Sequence, residues 1–308
     1  MGHQVTTSTA VVGTGVLGFL IAGYLLYRHR RGCSGNQVPT LLTGDSSVKH
    51  MVPLIDKVQI SPDTYNFRFG LPSGDHALGL PTGHHVVIHA SVNGEPVKRK
   101  YTPVTSDEDR GYFDMVIKVY KAGVNDRFPD GGKMSQHVDN MEIGDVIPVS
   151  GPVGRLTYHG RGSFTMVNKK TKEKRKARYQ KLGMIAGGSG IAPMLQLIEA
   201  VIRDPEDGTH MSLLFANQSE KDILMRDRLE VLAKGNPDRL TVWYTVDRAE
   251  RGWEYSIGFV NSDMIGEHLP PPADDTLILI CGPPAMIKLA CNPNLDKLGY
   301  KEQHRFKY

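Results

Sequence analysis

Short apolar runs separated by glycine and proline turns dominate residues 51–160 of this chain. The runs are rich in β-branched and aromatic side chains, which are typical of strands. Their length and spacing predict an antiparallel barrel or sandwich, and we expect the barrel. The predicted strands are Lys57–Ile60, Tyr65–Phe69, Val86–Val92, Tyr112–Tyr120 and Asp145–Val149.

Between residues 182 and 308 the pattern changes to fully apolar runs that alternate with helical periodicity. Such alternation predicts an α/β domain with a parallel sheet. The chain is therefore expected to be a two-domain α+β protein. The predicted strands are Leu182–Ala186, Met211–Ala216, Thr241–Val246 and Leu277–Ile280, and the predicted helices are Ile191–Arg203, Leu224–Ala233 and Pro284–Ala290.

The amino-terminal 31 residues differ from both domains. Ala10–Tyr27 carries no charge and is followed by Arg28-His29-Arg30-Arg31. This order predicts an uncleaved N-terminal membrane helix with the rest of the chain in the cytosol. A cleaved signal peptide, the main alternative, would carry its charge before the apolar run. Residues 1–31 are interpreted as an anchor and residues 32–50, which are polar, as a tether.

Gly2 offers a second route to the membrane, because Met1–Thr6 fits the N-myristoylation pattern. One acyl chain binds membrane lipid only marginally, so acylation would assist the helix rather than replace it. The sequence leaves this modification open.

The net charge of +4 is concentrated in two clusters. One follows the apolar run, and the other is Lys169–Lys181, which holds eight Lys or Arg against Glu173. This distribution argues against nucleic-acid binding. We interpret residues 161–181 as a basic linker that is too polar to pack. It is either a solvated surface or a docking patch for an acidic partner.

Three cysteines without paired spacing suggest neither a disulfide framework nor a zinc site. They fit a reducing compartment. His84 and His85 are adjacent and would face opposite ways on a strand, so no metal site is expected there.

Arg99–Thr105 is the stretch with the densest chemistry. If it is extended, Arg99, Tyr101 and Pro103 share one face. An arginine fork suits phosphate, a tyrosine ring can cover a flat heterocycle, and hydroxyls can bond polar ring edges. A surface hairpin is the simpler alternative.

Two glycine loops precede helical segments, where backbone N–H groups can hold phosphates. These are Gly131-Gly132, before what reads as a Ser-capped segment, and Gly187–Gly190. Cys281-Gly282-Pro283-Pro284 follows the last apolar strand and leaves room for a flat ring, although a buried structural cysteine is the alternative. Asp247, at a strand end, could accept bonds from ribose hydroxyls and repel a 2′-phosphate, or simply form a turn.

These motifs resemble those of a known family. Arg-Lys-Tyr-Thr-Pro-Val-Thr is similar to the flavin signature of the ferredoxin reductase superfamily, and the longer match resembles NADH–cytochrome b5 reductases. Gly-Gly-Lys-Met-Ser, Gly-Gly-Ser-Gly-Ile-Ala-Pro and Cys-Gly-Pro-Pro follow in family order, so the resemblance covers residues 51–308.

The resemblance implies an FAD-binding domain at 51–160 and an NADH-binding domain at 182–308. Thr102, Lys118 and Cys281 would act at the reacting rings. Lys118 could favour the anionic reduced flavin. The implied FAD contacts are Arg99, Lys100, Tyr101, Thr102, Val116, Lys118, Lys133, Met134 and Ser135. The implied NADH contacts are Gly187, Gly188, Ser189, Gly190, Asp247, Cys281, Gly282 and Pro283.

The implied activity is hydride transfer from NADH to FAD and then single-electron transfer to cytochrome b5. The expected location is the endoplasmic reticulum or the mitochondrial outer membrane, and the protein is expected to be a monomer. Lys100, Ala192 and Ala285 depart from the family pattern, which usually has proline, threonine and proline there. The alternatives are a flavin reductase for a quinone or another haem protein, and a tethered interaction protein without turnover.

Overall fold

The computed structural model describes residues 38–124 and 129–308. The chain divides into two units, Met1–Pro39 and Thr40–Tyr308, and the second is compact. All elements below belong to the second unit. The predicted membrane helix and Gly2 lie outside the described residues. Over the ranges 38–124 and 129–308, the structure has no helix long and apolar enough to cross a bilayer.

The first half of the second unit is a six-stranded antiparallel sheet, in agreement with the strand pattern. Its order is β4-β3-β6-β1-β2-β5. The strands are β1 (Lys49–Ser61), β2 (Thr64–Gly70), β3 (His85–Val92), β4 (Glu95–Tyr101), β5 (Tyr112–Lys118) and β6 (Val146–Val153).

The sheet curves around a core that includes the fully buried rings of Phe67, Phe69 and Phe113. A register shift between Leu54 and Asp56 bends β1, as bulges do in long strands. Among the described pairings, none joins the end strands β4 and β5. The predicted barrel is therefore a curved antiparallel sheet that is not hydrogen-bonded all the way round.

The segment predicted to be a linker is folded. β7 (Leu156–Tyr158), β8 (Ser163–Val167) and β9 (Lys174–Arg178) form a small antiparallel sheet. Phe164 and Tyr179 are buried, while most of β9 is exposed. The expectation that this stretch does not pack is wrong, because its few aromatic residues provide an inner face to a hairpin whose outer face is basic.

The second half is a six-stranded parallel sheet, again as predicted. Its order is β13-β12-β11-β10-β14-β15. The strands are β10 (Lys181–Gly187), β11 (His210–Asn217), β12 (Leu240–Val246), β13 (Ser256–Ile257), β14 (Thr276–Cys281) and β15 (Arg305–Lys307). Leu182–Gly187 is buried throughout because helices or the first domain cover both faces.

The helices are α1 (Lys133–Asp139), α2 (Ile191–Arg203), α3 (Arg226–Gly235), α4 (Ser262–His268) and α5, made of Pro284–Met286, a π-helical turn Ile287–Cys291 and Asn292–Lys297. The predicted start of α3 at Leu224 is two residues early, because Met225 has a left-handed φ of 58°. The expected helix from Pro284 extends to Lys297.

Residues near the predicted tether also pack. Leu41 and Leu42 are buried in the first core, and Thr40 bridges to Ala77. The polar composition of 32–50 concealed this because only two apolar side chains are involved. Residues 40–50 are thus part of the folded unit.

Candidate functional site

Two loops meet at the carboxyl edge of the parallel sheet, one after β10 and one after β14. A Cβ added to Gly190 would lie 2.2 Å from the carbonyl oxygen of Cys281. A Cβ on Gly187 would lie 2.7 Å from Sδ of Met286 and 2.9 Å from Cδ of Pro283. The glycines are required by this close approach. The structure thus brings together the two loops expected to hold nicotinamide.

Cys281 is a half-buried free thiol at the end of β14. Burial raises its pKa to about 11. The thiolate is the nucleophilic form of cysteine. At physiological pH Cys281 therefore lines the site as a neutral thiol. A neutral thiol is in keeping with the sequence interpretation, which assigns Cys281 no nucleophilic role; that it positions a ring stays a prediction.

The flavin-signature strand β4 ends at Tyr101. Pro103 therefore does not share a strand face with Arg99, in contrast to the expectation, because the chain leaves the sheet at Thr102. Arg99 is exposed, and its Nη1 donates to the carbonyl of Lys98 at 2.9 Å. Tyr101 is half-buried, and burial raises its pKa to about 12, so its hydroxyl remains protonated.

Val104 fixes the loop that follows Thr102. Its N–H donates to the carbonyl of Asp114 in β5 at 2.9 Å. The Asp114 N–H donates back to Oγ1 of Thr105 at 3.1 Å. The Asp114 carboxylate is buried and accepts a bidentate pair of bonds from Arg68 at 2.8 and 2.9 Å. These bonds hold the Thr102–Thr105 loop (residues 102–105) against β5.

Lys118 ends β5 and pairs with two carboxylates. Its Nζ lies 2.7 Å from Oδ2 of Asp63 and 3.7 Å from Oδ1 of Asp222. Asp222 belongs to the second domain and accepts a bond from Ser219 Oγ at 2.6 Å. The ammonium of Lys118, which was expected to face flavin, is thus already paired with two carboxylates.

The Gly131-Gly132 turn leads into α1 beside Tyr120, two residues after β5. The expected serine cap is wrong. The cap residue is Gly132, while Ser135 Oγ accepts from the Tyr120 N–H at 3.2 Å and donates to the Gly132 carbonyl at 3.1 Å. Met134 is buried in the first core, so only its backbone can meet a ligand.

The amino terminus of α1 nevertheless presents donors. Gln136 N–H donates to the Gly132 carbonyl at 3.0 Å. The preceding N–H groups of Lys133, Met134 and Ser135 have no intrahelical acceptor, as in any first turn. They fit a pyrophosphate oxygen.

Asp247 lies exposed just beyond β12. Its N–H donates to the carbonyl of Asn217, and partial burial raises its carboxyl pKa, while Arg248 opposes the shift. β12 is separated from β10 by β11. Two strand spacings amount to about 10 Å. The carboxylate is therefore apart from the nicotinamide loops, at a distance that suits the other end of a dinucleotide.

The two domains meet beside the glycine loop. Val104 and Val116 of the first domain belong to the same buried cluster as Ile191 and Ala192 of α2. Strand β5 also contacts the Gly188–Gly190 turn. Val116, expected on the FAD side, and the Gly188–Gly190 turn, expected on the NADH side, therefore lie at one junction. Over the described ranges, no His, Cys, Asp or Glu group is arranged to hold a metal ion.

Several site-forming residues were not predicted. They are Asp63, Asp222, Arg68, Asp114 and Arg228. Each acts through a partner that is distant in sequence, and single-sequence patterns carry no signal for such pairs. The buried aspartate within the alternating β5 run was the only available hint.

Comparison with known proteins gives the same division. Residues 51–158 match the "Oxidoreductase FAD-binding domain" family and residues 184–292 the "Oxidoreductase NAD-binding domain" family. The chain is 56% identical over 264 residues to NADH-cytochrome b5 reductase 2 of Gallus gallus, covering 86% of this chain and 87% of that protein. It is 50% identical over 302 residues to NADH-cytochrome b5 reductase 1 of Homo sapiens, covering 97% of both.

A solved structure agrees. The cytochrome b5 reductase domain of Ulva prolifera nitrate reductase superposes with a TM-score of 0.80 at 42% identity, covering 87% of this chain and 100% of that one. The glycine cradle and the donors of α1 fit the dinucleotide cofactors that these domains bind. This chain is an FAD- and NADH-dependent oxidoreductase that belongs to the NADH–cytochrome b5 reductase family.

Proposed function

We propose that this chain passes electrons from NADH through FAD to the haem of cytochrome b5, while anchored to a membrane. The observation that supports this most is the junction at which the glycine loop of the second domain packs against Val104 and Val116 of the first. FAD, when bound, supplies the two-electron to one-electron conversion that such a reaction needs. The chain's own residues bind and align the reactants.

On the FAD side, Arg99 and the N–H groups of Lys133 and Ser135 would bind the pyrophosphate. Tyr101, kept neutral by burial, would cover the flat ring. Thr102 would bond a polar ring edge through its hydroxyl. Lys100 is exposed on its strand and would contribute through its backbone.

On the NADH side, the Gly187–Gly190 loop and the Cys281–Pro283 loop would form a slot for nicotinamide. The slot keeps the ring close to the first domain and excludes water, which favours a reactive alignment. Lys118 would lie near both cofactors, with Asp63 and Asp222 holding its ammonium. Asp247 would bond the adenosine ribose and disfavour NADPH.

The basic hairpin, formed by β8, β9 and the loop between them, would dock cytochrome b5. Lys169, Lys170, Lys174 and Lys176 are exposed there. The relatives' name identifies cytochrome b5 as their acceptor. An exposed cationic surface accelerates encounter with an acidic partner.

The sequence supports a membrane anchor at the amino terminus. Ala10–Tyr27 would span the membrane, with the folded unit in the cytosol at the endoplasmic reticulum or the mitochondrial outer membrane. Gly2 would carry a myristoyl group, and the protein would be a monomer. Sodium carbonate extraction of cells expressing the full chain and a Gly2→Ala variant tests anchoring, which should survive loss of the acyl chain. Release of either protein as soluble material contradicts the helical anchor.

The acceptor is tested with the full-length, FAD-loaded chain. We expect NADH to reduce ferric cytochrome b5 in proportion to enzyme, with a higher kcat/KM than for a quinone or an unrelated haem protein. Efficient NADH oxidation with those acceptors, but not with cytochrome b5, would contradict the proposed partner while leaving the flavin chemistry intact.

A further inference from the structure

Helix α2 directs one stripe of side chains at the first domain. Ala192, Gln196, Glu199 and Arg203 follow helical spacing and lie on one face. Gln196 Oε1 accepts a bond from the Gly83 N–H at 2.8 Å, and Arg203 Nε lies 3.1 Å from Oε2 of Glu108. Ala192 packs in the cluster that includes Val104. Helix α2, which starts at the glycine loop, therefore also contacts the first domain through its side chains.

Glu199 is the one member of the stripe that pairs within its own domain. Its side chain is 15% exposed and accepts from Arg228 of α3 at 2.5 and 2.8 Å, one oxygen to each guanidinium nitrogen. A bidentate carboxylate fixes the orientation of a guanidinium plane. Glu199 thus determines where the remaining donors of Arg228 point.

Arg228 Nη2 also donates to the carbonyl of Val104 at 3.1 Å. The N–H of Val104 donates to the carbonyl of Asp114 in β5. The peptide groups of Val104 are therefore held from both sides, by its own domain and by the partner domain. Thr102 is two residues away on the same loop.

We propose that Arg228, oriented by Glu199, is a positioning residue for hydride transfer. It holds the Thr102–Thr105 loop at a fixed distance from the helix that carries the Gly187–Gly190 loop. A displacement of about 1 Å between reacting groups can lower a rate about 100-fold. This inference rests on the proposed meeting of flavin and nicotinamide at the junction, and it assigns a role to a residue that touches neither ring.

The geometry distinguishes two substitutions. Lysine at 228 keeps a positive charge for Glu199 but lacks the planar fork that reaches two acceptors at once. Methionine removes all three hydrogen bonds, the two to Glu199 and the one to the Val104 carbonyl. Arg226→Lys is the matched control, because Arg226 lies on the same helix and pairs with Glu230 at 2.7 Å, away from the first domain.

The experiment follows single-turnover bleaching of the FAD-loaded full chain by saturating NADH. Thermal unfolding, FAD content and the NADH concentration for half-maximal rate are measured alongside. We expect Arg228→Lys and Arg228→Met to lower the limiting rate about tenfold or more. FAD content and the half-maximal concentration should change little, and Arg226→Lys should match the wild type.

A purely structural role predicts a lower unfolding temperature with an unchanged limiting rate, and that result for Arg228→Lys would overturn the inference. If Arg228→Met fails to hold FAD, Arg228→Lys alone decides. A wild-type chain that NADH cannot bleach would overturn the proposed function and this inference together, whereas a bleached wild type with an unaffected Arg228→Lys overturns only the inference.

Discussion

Among single residues, Cys281 shows how the fold changes a side chain's chemistry. At pH 8, a pKa of about 11 instead of the ordinary 9.0 lowers the thiolate fraction about 100-fold. We therefore expect alkylation of Cys281 by iodoacetamide at pH 8 to be about 100-fold slower in the folded chain than in the urea-unfolded chain. Mass spectrometry of the Cys281 peptide measures this, and equal rates would contradict the buried neutral thiol.

Asp247 should set the choice between nucleotides. Asparagine keeps the size of the side chain and one acceptor oxygen, but it removes the charge that repels a 2′-phosphate. We expect Asp247→Asn to raise the NADPH to NADH ratio of kcat/KM about tenfold, equivalent to about 1.4 kcal/mol. Asp274→Asn, an exposed carboxylate elsewhere, is the control. An unchanged ratio would remove Asp247 from the nucleotide site.

His85 should make the first domain sensitive to acid. Burial, with the charges of Lys100, His84 and Arg155, lowers its pKa to about 4 from 6.5, and its Nε2 finds no hydrogen-bond partner among residues 38–124 and 129–308. Between these values the unfolded chain binds the extra proton. The contribution of neutral His85 to the free energy of unfolding is therefore fully present above pH 6.5. It falls as the pH drops toward 4, by at most about 1.4 kcal/mol per pH unit for one proton.

Urea unfolding of His85→Gln between pH 7 and 4.5 tests this. The variant should lose stability less steeply than the wild type, whereas His159→Gln, which replaces an exposed histidine, should follow the wild-type slope. Parallel slopes for all three proteins would exclude titration of His85 as a cause of acid sensitivity.

At the level of elements, the glycine loop after β10 tolerates little change. A methyl group at Gly190 would lie 2.2 Å from a backbone carbonyl, which cannot move aside as a flexible side chain could. We expect Gly190→Ala to abolish NADH-dependent bleaching while FAD remains bound. Gly235→Ala at the end of α3, where an added Cβ meets nothing within 4 Å, should be active. Normal turnover of Gly190→Ala would show that the loops do not need this contact.

The helices and strands differ in how well the sequence predicts them. The four central parallel strands and α2 were predicted to within one residue at each end, because apolar runs have one period and clear ends. The short outer strands β13 and β15 were not predicted. β9 escaped detection because its side chains are nearly all basic, although it pairs with the preceding strand β8 in a hairpin. The early start assigned to α3 reflects the left-handed Met225, which no local preference would indicate.

Considered as a whole, the molecule has its basic surface on the hairpin of β8 and β9. We expect Lys176→Glu to slow cytochrome b5 reduction several-fold at low ionic strength and little in high salt, where charges are screened. Lys234→Glu, the same change on exposed α3, is the control. Equal effects of the two substitutions would mean that net charge, rather than a docking site, is responsible.

The sequence motifs of the site were predictable, but the contacts between the two domains were not. Thr102, Cys281 and the glycines stand in recognisable strings, whereas Lys118–Asp222 and Arg228–Val104 connect residues more than 100 positions apart. Such pairs exist only after two domains have packed. Composition and periodicity describe each domain separately and are silent on the contact between them.

We expect nicotinamide and flavin to meet where the glycine loop packs on the first domain. The most direct measurement is anaerobic stopped-flow mixing of the FAD-loaded full chain with NADH and with NADH deuterated at the nicotinamide C4. The yellow absorbance should be lost rapidly in one turnover, and deuterium should slow this loss. A yellow protein that NADH leaves unchanged would contradict this meeting of the two rings. Bleaching at the same rate with NADH and with deuterated NADH would contradict it as well.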